Sequence, residues 1–341
     1  SMIENCKRYL IKGLKVHSKT LNLFTVESNI SKQLGLVQKK YKKFSNWLLI
    51  LVVLALLYIL ISMYHDYNST KEGFEGLDQN EKFVSKTNYK SINDEFYTDI
   101  YDDLHYKKAK DDLHVNKSMY HSNSDNNTIL NIGCKTGRVA GELSEESNYN
   151  VYAIDESPNM IAIGKNTYPN VHFSVGSPLK SMLFQQNNFE QILALNFTIY
   201  YFKDKRTFLQ NCYNWLKPNG VLIIQLIDKN LFDPIIPGSN PFYLISPQTY
   251  SENRITTSSV KFNNFNYNAD FNIYPNNLAK FKEVFKFKNG KTRQHEQKLH
   301  MPSPNKIVEM AQELGFIVNA KYDLIECAEA YQYLYVLQKP R

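Results

Sequence analysis

Residues 128–138 read Thr128-Ile129-Leu130-Asn131-Ile132-Gly133-Cys134-Lys135-Thr136-Gly137-Arg138, and the fold turns on this stretch. Its first half is a short apolar run of strand length. Two glycines then mark a turn where the backbone can approach a ligand closely. Arg138–Glu146 continues as a helix, whose first N–H groups suit a carboxylate or phosphate. Asn150–Ile154 is a second strand, and Asp155 ends it, eighteen residues after Gly137. A carboxylate in that place accepts both hydroxyls of a ribose. A glycine turn alone says little; strand, turn, helix, strand and terminal acid in that order say more.

Outward from this unit the alternation continues. Pro158–Thr167 is a helix with proline in its first turn, Val171–Val175 and Gln191–Leu195 are strands, and Asp204–Trp215 is a helix. Lys217-Pro218-Asn219-Gly220 reads as a turn, and Val221–Ile227 as a buried strand. Such spacing predicts a parallel sheet with helices on both faces. Near the end, a helix capped by Ser303-Pro304 runs to Leu314 and stops at Gly315. Phe316–Tyr322 and Tyr331–Leu337 then read as an antiparallel pair. Residues 228–300 form an insertion in which Asn289-Gly290 joins Val284–Lys288 to Lys291–His300, a hairpin signal. It belongs over the C-terminal edge of the main sheet. His295 and His300 fall on opposite faces of their strand, which argues against a metal pair. The four cysteines, Cys6, Cys134, Cys212 and Cys327, show no metal-ligand spacing and read as reduced thiols.

The N-terminal part differs in kind. Residues 1–46 hold ten Lys and Arg against Glu4 and Glu27, so the net charge of +7 is concentrated there. Trp47–Ile61 carries no polar residue, and Ser62-Met63-Tyr64 extends it. At 1.5 Å per residue, residues 47–64 would span roughly 27 Å, enough for a transmembrane helix, with Trp47 and Tyr64 at the interfaces. Residues 39–64 thus nominate membrane lipid as partner, and the near-neutral remainder argues against nucleic acid. Residues 65–93 read as a linker and 94–341 as one domain. Lys39, Lys40, Lys42 and Lys43 before the span favour a cytosolic N-terminus. A domain using a cytosolic cofactor favours the reverse, and the sequons at Asn116, Asn126 and Asn196 decide nothing in so Asn-rich a chain. The side of the membrane, and which membrane, viral or intracellular, stay open.

Within this frame the stretch 128–227 resembles a class I S-adenosylmethionine-dependent methyltransferase. Gly133-Cys134 and Thr136-Gly137 resemble its first motif, and Asp155-Glu156-Ser157-Pro158-Asn159-Met160 its second. Phe189–Leu195 resembles its fourth strand, Trp215-Leu216-Lys217-Pro218-Asn219-Gly220 the turn before its fifth, and the closing pair its reversed seventh. The resemblance implies a seven-stranded Rossmann-like sheet, with Asp94–His121 as a helical lid over S-adenosyl-L-methionine. It places Gly133, Cys134 and Gly137 at the methionine end, Asp155 at the ribose, and Glu156 and Met160 beside the adenine. Ser177 faces the adenine amine, and Asn196 and Phe197 lie beneath the methyl group. No dedicated catalytic residue is implied.

Three positions depart from the family pattern. Asn131 replaces the acid ending the first strand, Lys135 replaces the middle glycine of the turn, and Ser177 replaces the adenine-facing acid. Lys135 either obstructs the pocket or pairs with the methionine carboxylate. Asn196-Phe197-Thr198-Ile199-Tyr200 is not the motif of enzymes that methylate base amino groups, while Tyr200 and Tyr201 face either a substrate or the core. Two functions follow: a membrane-anchored methyltransferase acting on a small molecule, lipid or protein, or a catalytically inactive module of the same fold serving assembly of a membrane or viral particle.

Overall fold

A computed structural model describes residues 46–61, 79–120, 127–145, 149–240 and 246–341, with Lys32, Gly35, Leu36 and Lys39. The chain divides into two compact units, Ser1–Ser69 and Thr70–Arg341. In the first, residues 46–61 are helical and their side chains are exposed. Among the described residues no helix is long and apolar enough to cross a membrane. The last three residues of the expected span at 47–64, the lysines at 40, 42 and 43, and Asn126 lie outside the described residues.

The second unit is built on a seven-stranded sheet. Its strands are β2 (Asn127–Ile132), β3 (Tyr149–Asp155), β4 (His172–Val175), β5 (Phe189–Ala194), β6 (Leu216–Ile227), β11 (Ile317–Asp323) and β12 (Gln332–Gln338). The order is β11-β12-β6-β5-β2-β3-β4. Parallel pairing links β2 with β3 and β5, β3 with β4, and β5 with β6; β12 is antiparallel to both neighbours. The chain leaves β2 toward β3 and returns on the other side at β5. The C-terminal ends of β2 and β5 therefore flank the switch point where α/β sheets bind ligands.

Alternation assigns the two faces. Leu130, Ile132, Ile154 and Ile224 join one buried cluster. It takes in Phe208, Leu209 and Trp215 of α7 (Lys205–Trp215), and Ile307 and Ala311 of α8 (Pro304–Glu313). Ile129, Val151, Ala153 and Ile223 point the other way, against α5 (Arg138–Ser144) and α6 (Pro158–Thr167). Side-chain caps begin three of these helices: Ser157 accepts from Met160 N–H, Asp204 from Thr207 N–H and Ser303 from Lys306 N–H. Lys217-Pro218-Asn219-Gly220 differs from the expected turn. The β5–β6 register jumps from Phe189↔Leu216 to Gln191↔Val221, so these residues are an irregular excursion within β6. Asn219 there takes a left-handed φ of 64°.

A second sheet has the order β1-β10-β9-β8-β7. Four of its strands come from the insertion: β7 (Thr257–Lys261), β8 (Phe265–Tyr274), β9 (Leu278–Phe287) and β10 (Thr292–His300). The fifth, β1 (Phe83–Lys86), pairs parallel with β10. Residues 79–93 are thus structured, although the sequence reads them as linker. A four-residue strand is too short to show a period, and its partner lies two hundred residues away. Helices α1 (Tyr89–Ile92), α2 (Glu95–Asp99), α3 (Tyr101–His105) and α4 (Lys108–Tyr120) follow. Ile92, Phe96, Ile100 and Leu104 pack into one cluster with Tyr267, Phe265 and Phe285 of the second sheet. The Lys86–Asp94 and Arg293–Asp94 ion pairs, the latter 2.7 Å, pin α2 to β1 and β10.

These contacts predict where the second unit can be cut. A fragment beginning at residue 70 should melt cooperatively at the temperature of the same unit in the full chain. One beginning at residue 94 loses β1 and the fully buried Ile92. It should be less stable by at least about 1.5–3 kcal/mol, the worth of that side chain alone. Equal urea midpoints for the two fragments would refute the assignment.

Candidate active site

Gly133 follows β2 with φ +66°, and a Cβ there would come 2.6 Å from Thr198 Oγ1, so the position admits glycine alone. The N–H groups of Gly133 and Cys134 both donate to Ile154 O, at 2.8 and 3.1 Å, drawing the turn across the end of β3. Gly137, at φ +88°, starts α5 and packs against Phe173. Lys135 stands between them with φ +55°, a left-handed conformation that costs an L-residue roughly 1–2 kcal/mol.

Asp155 lies directly beside this turn and is buried. Its carboxylate accepts from Ser157 N–H at 2.9 Å and Lys135 N–H at 3.2 Å. Tyr89 Oη, from α1, lies 3.0 and 3.1 Å from the two carboxylate oxygens and donates between them. The Lys135 ammonium donates to Tyr89 Oη at 2.6 Å. Its Nζ also sits 4.4, 4.6 and 5.9 Å from the ring centres of Tyr89, Tyr201 and Tyr101. Burial pushes the Tyr89 hydroxyl well up, with the Asp155 charge adding to it. Burial also draws the Lys135 amine down, against the pull of Asp155.

Two cavities meet at Lys135. One of about 500 Å³ is lined by Asp155, Glu156, Gly176, Pro178, Leu179 and Tyr89, among others. The other, about 160 Å³, takes its floor from Asn131, Gly133, Cys134 and Asn196 and its roof from the lid and the second sheet. Of the residues named from sequence, Asp155 and Glu156 line the first, Asn131, Cys134 and Asn196 the second, and Gly133 both. Gly137 shapes the turn without lining either. Ser177 falls between Gly176 and Pro178, which line the larger cavity, without lining it. Met160 is fully buried in the cluster beneath the lid. Its backbone position in the second motif is as expected, but its side chain points into packing. Asn196 has φ +55°, gives its N–H to Gln225 Oε1 at 2.8 Å, and holds a buried Oδ1 without a hydrogen-bond partner. Tyr200 is core, its hydroxyl accepting from Ile227 N–H at 2.7 Å, whereas Tyr201 lines both cavities.

Several residues of the site carry no signal in the sequence. His105, from α3, lines the smaller cavity and meets Tyr97 Oη at 3.1 Å. Tyr97 donates to Glu283 Oε1 of β9 at 2.7 Å, so the His105 contact is a donation from Nε2–H, leaving Nδ1 as the bare nitrogen. Burial lowers His105 to about 4, against the pull of Glu283, so the ring is neutral at neutral pH. Thr136 Oγ1 donates to Asp102 Oδ1 at 2.9 Å, and Arg138 stands 3.6 and 3.5 Å from the Asp102 and Asp111 carboxylates, tying the lid to the first turn.

With this geometry in place, the likenesses to known proteins are specific. Residues 129–220 match the methyltransferase domain family. The chain is 28% identical over 163 residues to a demethylmenaquinone methyltransferase of Chlorobaculum parvum, covering 47% of this chain and 61% of that protein. It thus spans about three fifths of that relative's length. In fold it is similar to an S-adenosylmethionine-dependent methyltransferase from Clostridium acetobutylicum, with TM-score 0.54, 16% identity, and coverage of 72% and 98% of the two chains. It is also similar to S-adenosylmethionine-bound CalS10, an amino pentose methyltransferase from Micromonospora echinaspora, with TM-score 0.50, 14% identity, and coverage of 74% and 100%. The second unit thus has the fold of class I S-adenosylmethionine-dependent methyltransferases, and residues 129–220 within it match a methyltransferase domain. S-adenosyl-L-methionine is the cofactor of that class, and the residues on either side of Lys135 fit it. A buried carboxylate ends β3, Gly133 keeps the turn's surface free of side chain, and each side opens a cavity.

Removing the carboxylate tests this placement. Asp155→Asn, which keeps the shape and one acceptor oxygen for the neighbouring N–H groups but loses the charge, should weaken binding of S-adenosyl-L-methionine at least about tenfold. Calorimetric titration reads it; equal affinities for wild type and variant would refute the ribose site.

Proposed function

We propose that this chain transfers a methyl group from S-adenosyl-L-methionine to a flat, apolar acceptor bearing an acidic hydroxyl, of which a quinol is the leading example, and works at a membrane. The observation that carries this reading is the wall of the smaller cavity. Phe197, Phe232, Phe271, Phe281 and Leu299 face it, four aromatic rings supplied by the main sheet's loops and the insertion. Such a wall gives a fused ring several aromatic faces to pack against. The similarity to a demethylmenaquinone methyltransferase supports the same acceptor class. The apolar helix at 46–61, whose Leu, Ile and Val side chains are exposed, supports membrane lipid as the partner of the first unit.

The cofactor supplies an electrophilic methyl group on a sulfonium, and transfer is a displacement accelerated mainly by alignment and exclusion of water. The chain's part is to hold the acceptor against the aromatic wall, under a lid fastened through Asp102 and Asp94. The neutral His105 ring takes the hydroxyl proton on Nδ1, while its Nε2–H stays bonded to Tyr97, which Glu283 holds in place.

Incubating the full chain with methyl-labelled cofactor and a water-soluble naphthoquinol tests the activity. Label should pass to the naphthoquinol, and His105→Gln should lower the rate by about 10²-fold while leaving the dissociation constant for S-adenosyl-L-methionine unchanged. If label passes to an amino sugar and none to the quinol, the acceptor class is wrong. If the chain binds no cofactor at millimolar concentration, the non-catalytic module becomes the better reading. In a separate test, the full chain should co-sediment with phospholipid vesicles and a fragment beginning at residue 70 should stay in the supernatant. Equal partition of the two would refute the anchor.

A further inference from the structure

One wall of the larger cavity carries a charge that a cationic cofactor does not call for. Glu296, Lys298 and His300 share one face of β10, and all three line the cavity with Phe202 and Lys203 of the loop after β5. In the sheet order β5 and β3 stand on opposite sides of β2, which sets this loop apart from Asp155 and Glu156 at the end of β3. Directly opposite Lys298 on β9 is Lys280. Like charges facing each other across an antiparallel pair destabilise it. Lys280 is relieved by Glu296, 3.1 Å away, whereas among the described residues the exposed Lys203 and Lys298 form no ion pair. A further ammonium, that of Lys205 at the start of α7, is buried and donates to Phe202 O at 2.7 Å and Ile199 O at 3.3 Å. Burial, and then the charges of Lys205, Lys203 and Lys298, hold the His300 ring below the usual histidine range. Three ammonium groups, from two separate parts of the chain, thus act on one ring at the cavity wall.

We propose that Lys203, Lys298 and His300 form a binding subsite for the phosphate group of a small soluble ligand that enters the larger cavity. The chemistry of the donors sets the class. An ammonium is a compact point charge with three N–H donors, and two of them without an ion pair, beside an imidazole, suit a tetrahedral dianion whose oxygens can be shared between elements. An anion held there would offset the repulsion between Lys298 and Lys280. It would also favour the charged form of His300, so that the ring joins as a donor. The wall belongs to a cavity of about 500 Å³ that runs in to the buried Asp155, a volume of the size that small ligands fill. That depth favours a soluble phosphate ester over the headgroup of a lipid. Lys203, Lys298 and His300 lie outside the residues assigned to the cofactor, so the subsite stands whichever acceptor the domain takes.

The test is calorimetric titration of the full chain with inorganic phosphate, in a neutral detergent and a phosphate-free buffer. The wild type should bind phosphate saturably in the millimolar range. Lys203→Glu and Lys298→Glu should each weaken binding at least about tenfold. Lys286→Glu, the same charge change at an exposed position near the other end of β9, should stay within about threefold of the wild type. Melting separates a lost subsite from a damaged fold. Because Lys298 faces Lys280, Lys298→Glu should melt at or above the wild-type temperature while its phosphate binding is lost. Doping the detergent with phosphatidylglycerol should leave the phosphate affinity unchanged. The proposal is overturned if the wild type takes up no phosphate, or if Lys286→Glu weakens binding as much as Lys298→Glu, which would mark a response to net charge alone. It is overturned equally if phosphatidylglycerol displaces the phosphate, which would make the wall a lipid contact.

Discussion

The carboxylate of Asp155 is the hydrogen-bonding centre on which the functional end of the molecule depends. It is buried at the tip of β3 and accepts from the main chain of the first turn at Lys135, from the start of α6 at Ser157, and from the lid at Tyr89. One residue earlier, Ile154 O accepts from Gly133 and Cys134, and Asp155 O accepts from Gly176 after β4. Three strand ends and the lid therefore converge on two residues. An apolar side chain at 155 would strand a hydroxyl and two amides in a buried place, each at about 1–3 kcal/mol. The position is thus constrained by the fold even before any ligand is considered.

A second buried carboxylate orders the roof. Glu283 accepts from Tyr97 Oη at 2.7 Å, Tyr267 Oη at 2.9 Å and Gln297 Nε2 at 3.1 Å. Arg293 Nε donates to His295 Nε2 at 2.7 Å, which leaves the proton of that ring on Nδ1, 3.5 Å from Glu283 Oε2. Burial alone would raise this carboxyl, but His295 and the Tyr97 hydroxyl hold it below the usual glutamate range. Buried charges of this kind add little to stability compared with apolar packing, and their use is in fixing register. Here they fix the lid helices on β9 and β10. The lid and the insertion, far apart in the chain, therefore present one surface to the smaller cavity.

The main sheet was legible because each of its signals is local. β2, the glycine turn, α5, β3 and Asp155 follow one another within thirty residues, and buried parallel strands announce themselves as apolar runs. The reversed β12 was legible from the short connection before it. What stayed hidden depends on distant partners: Phe83–Lys86 becomes a strand only because β10 is there to receive it. Met160 shows the complementary limit. The resemblance places it beside the adenine, and the tertiary packing of Phe96, Tyr97 and Ile236 claims its side chain instead. Tyr89, His105 and Glu283 were invisible for the same reason, since a tyrosine in a polar segment or a glutamate in a hairpin strand carries no pattern of its own. Lys135 was visible as an anomaly, and only the structure shows its tyrosine cage.

The departures from the family pattern share a sign. Asn131 stands at the end of β2 where the family has an acid, Lys135 brings a positive charge to the junction of the cavities where it has glycine, and Ser177 after β4 replaces another acid. Each change alone reads as decay of a motif, and decay should leave loose ends. The structure has few here. Lys135 holds a strained φ, its amine donates to Tyr89, and Tyr89 lies between that amine and Asp155. Tyr201 turns a face to the same charge. Tyrosines from two separate parts of the chain, one before the main sheet's first strand and one after β5, are placed to receive a lysine that the common pattern lacks. A substitution tolerated by neglect would not find its partners assembled on both sides.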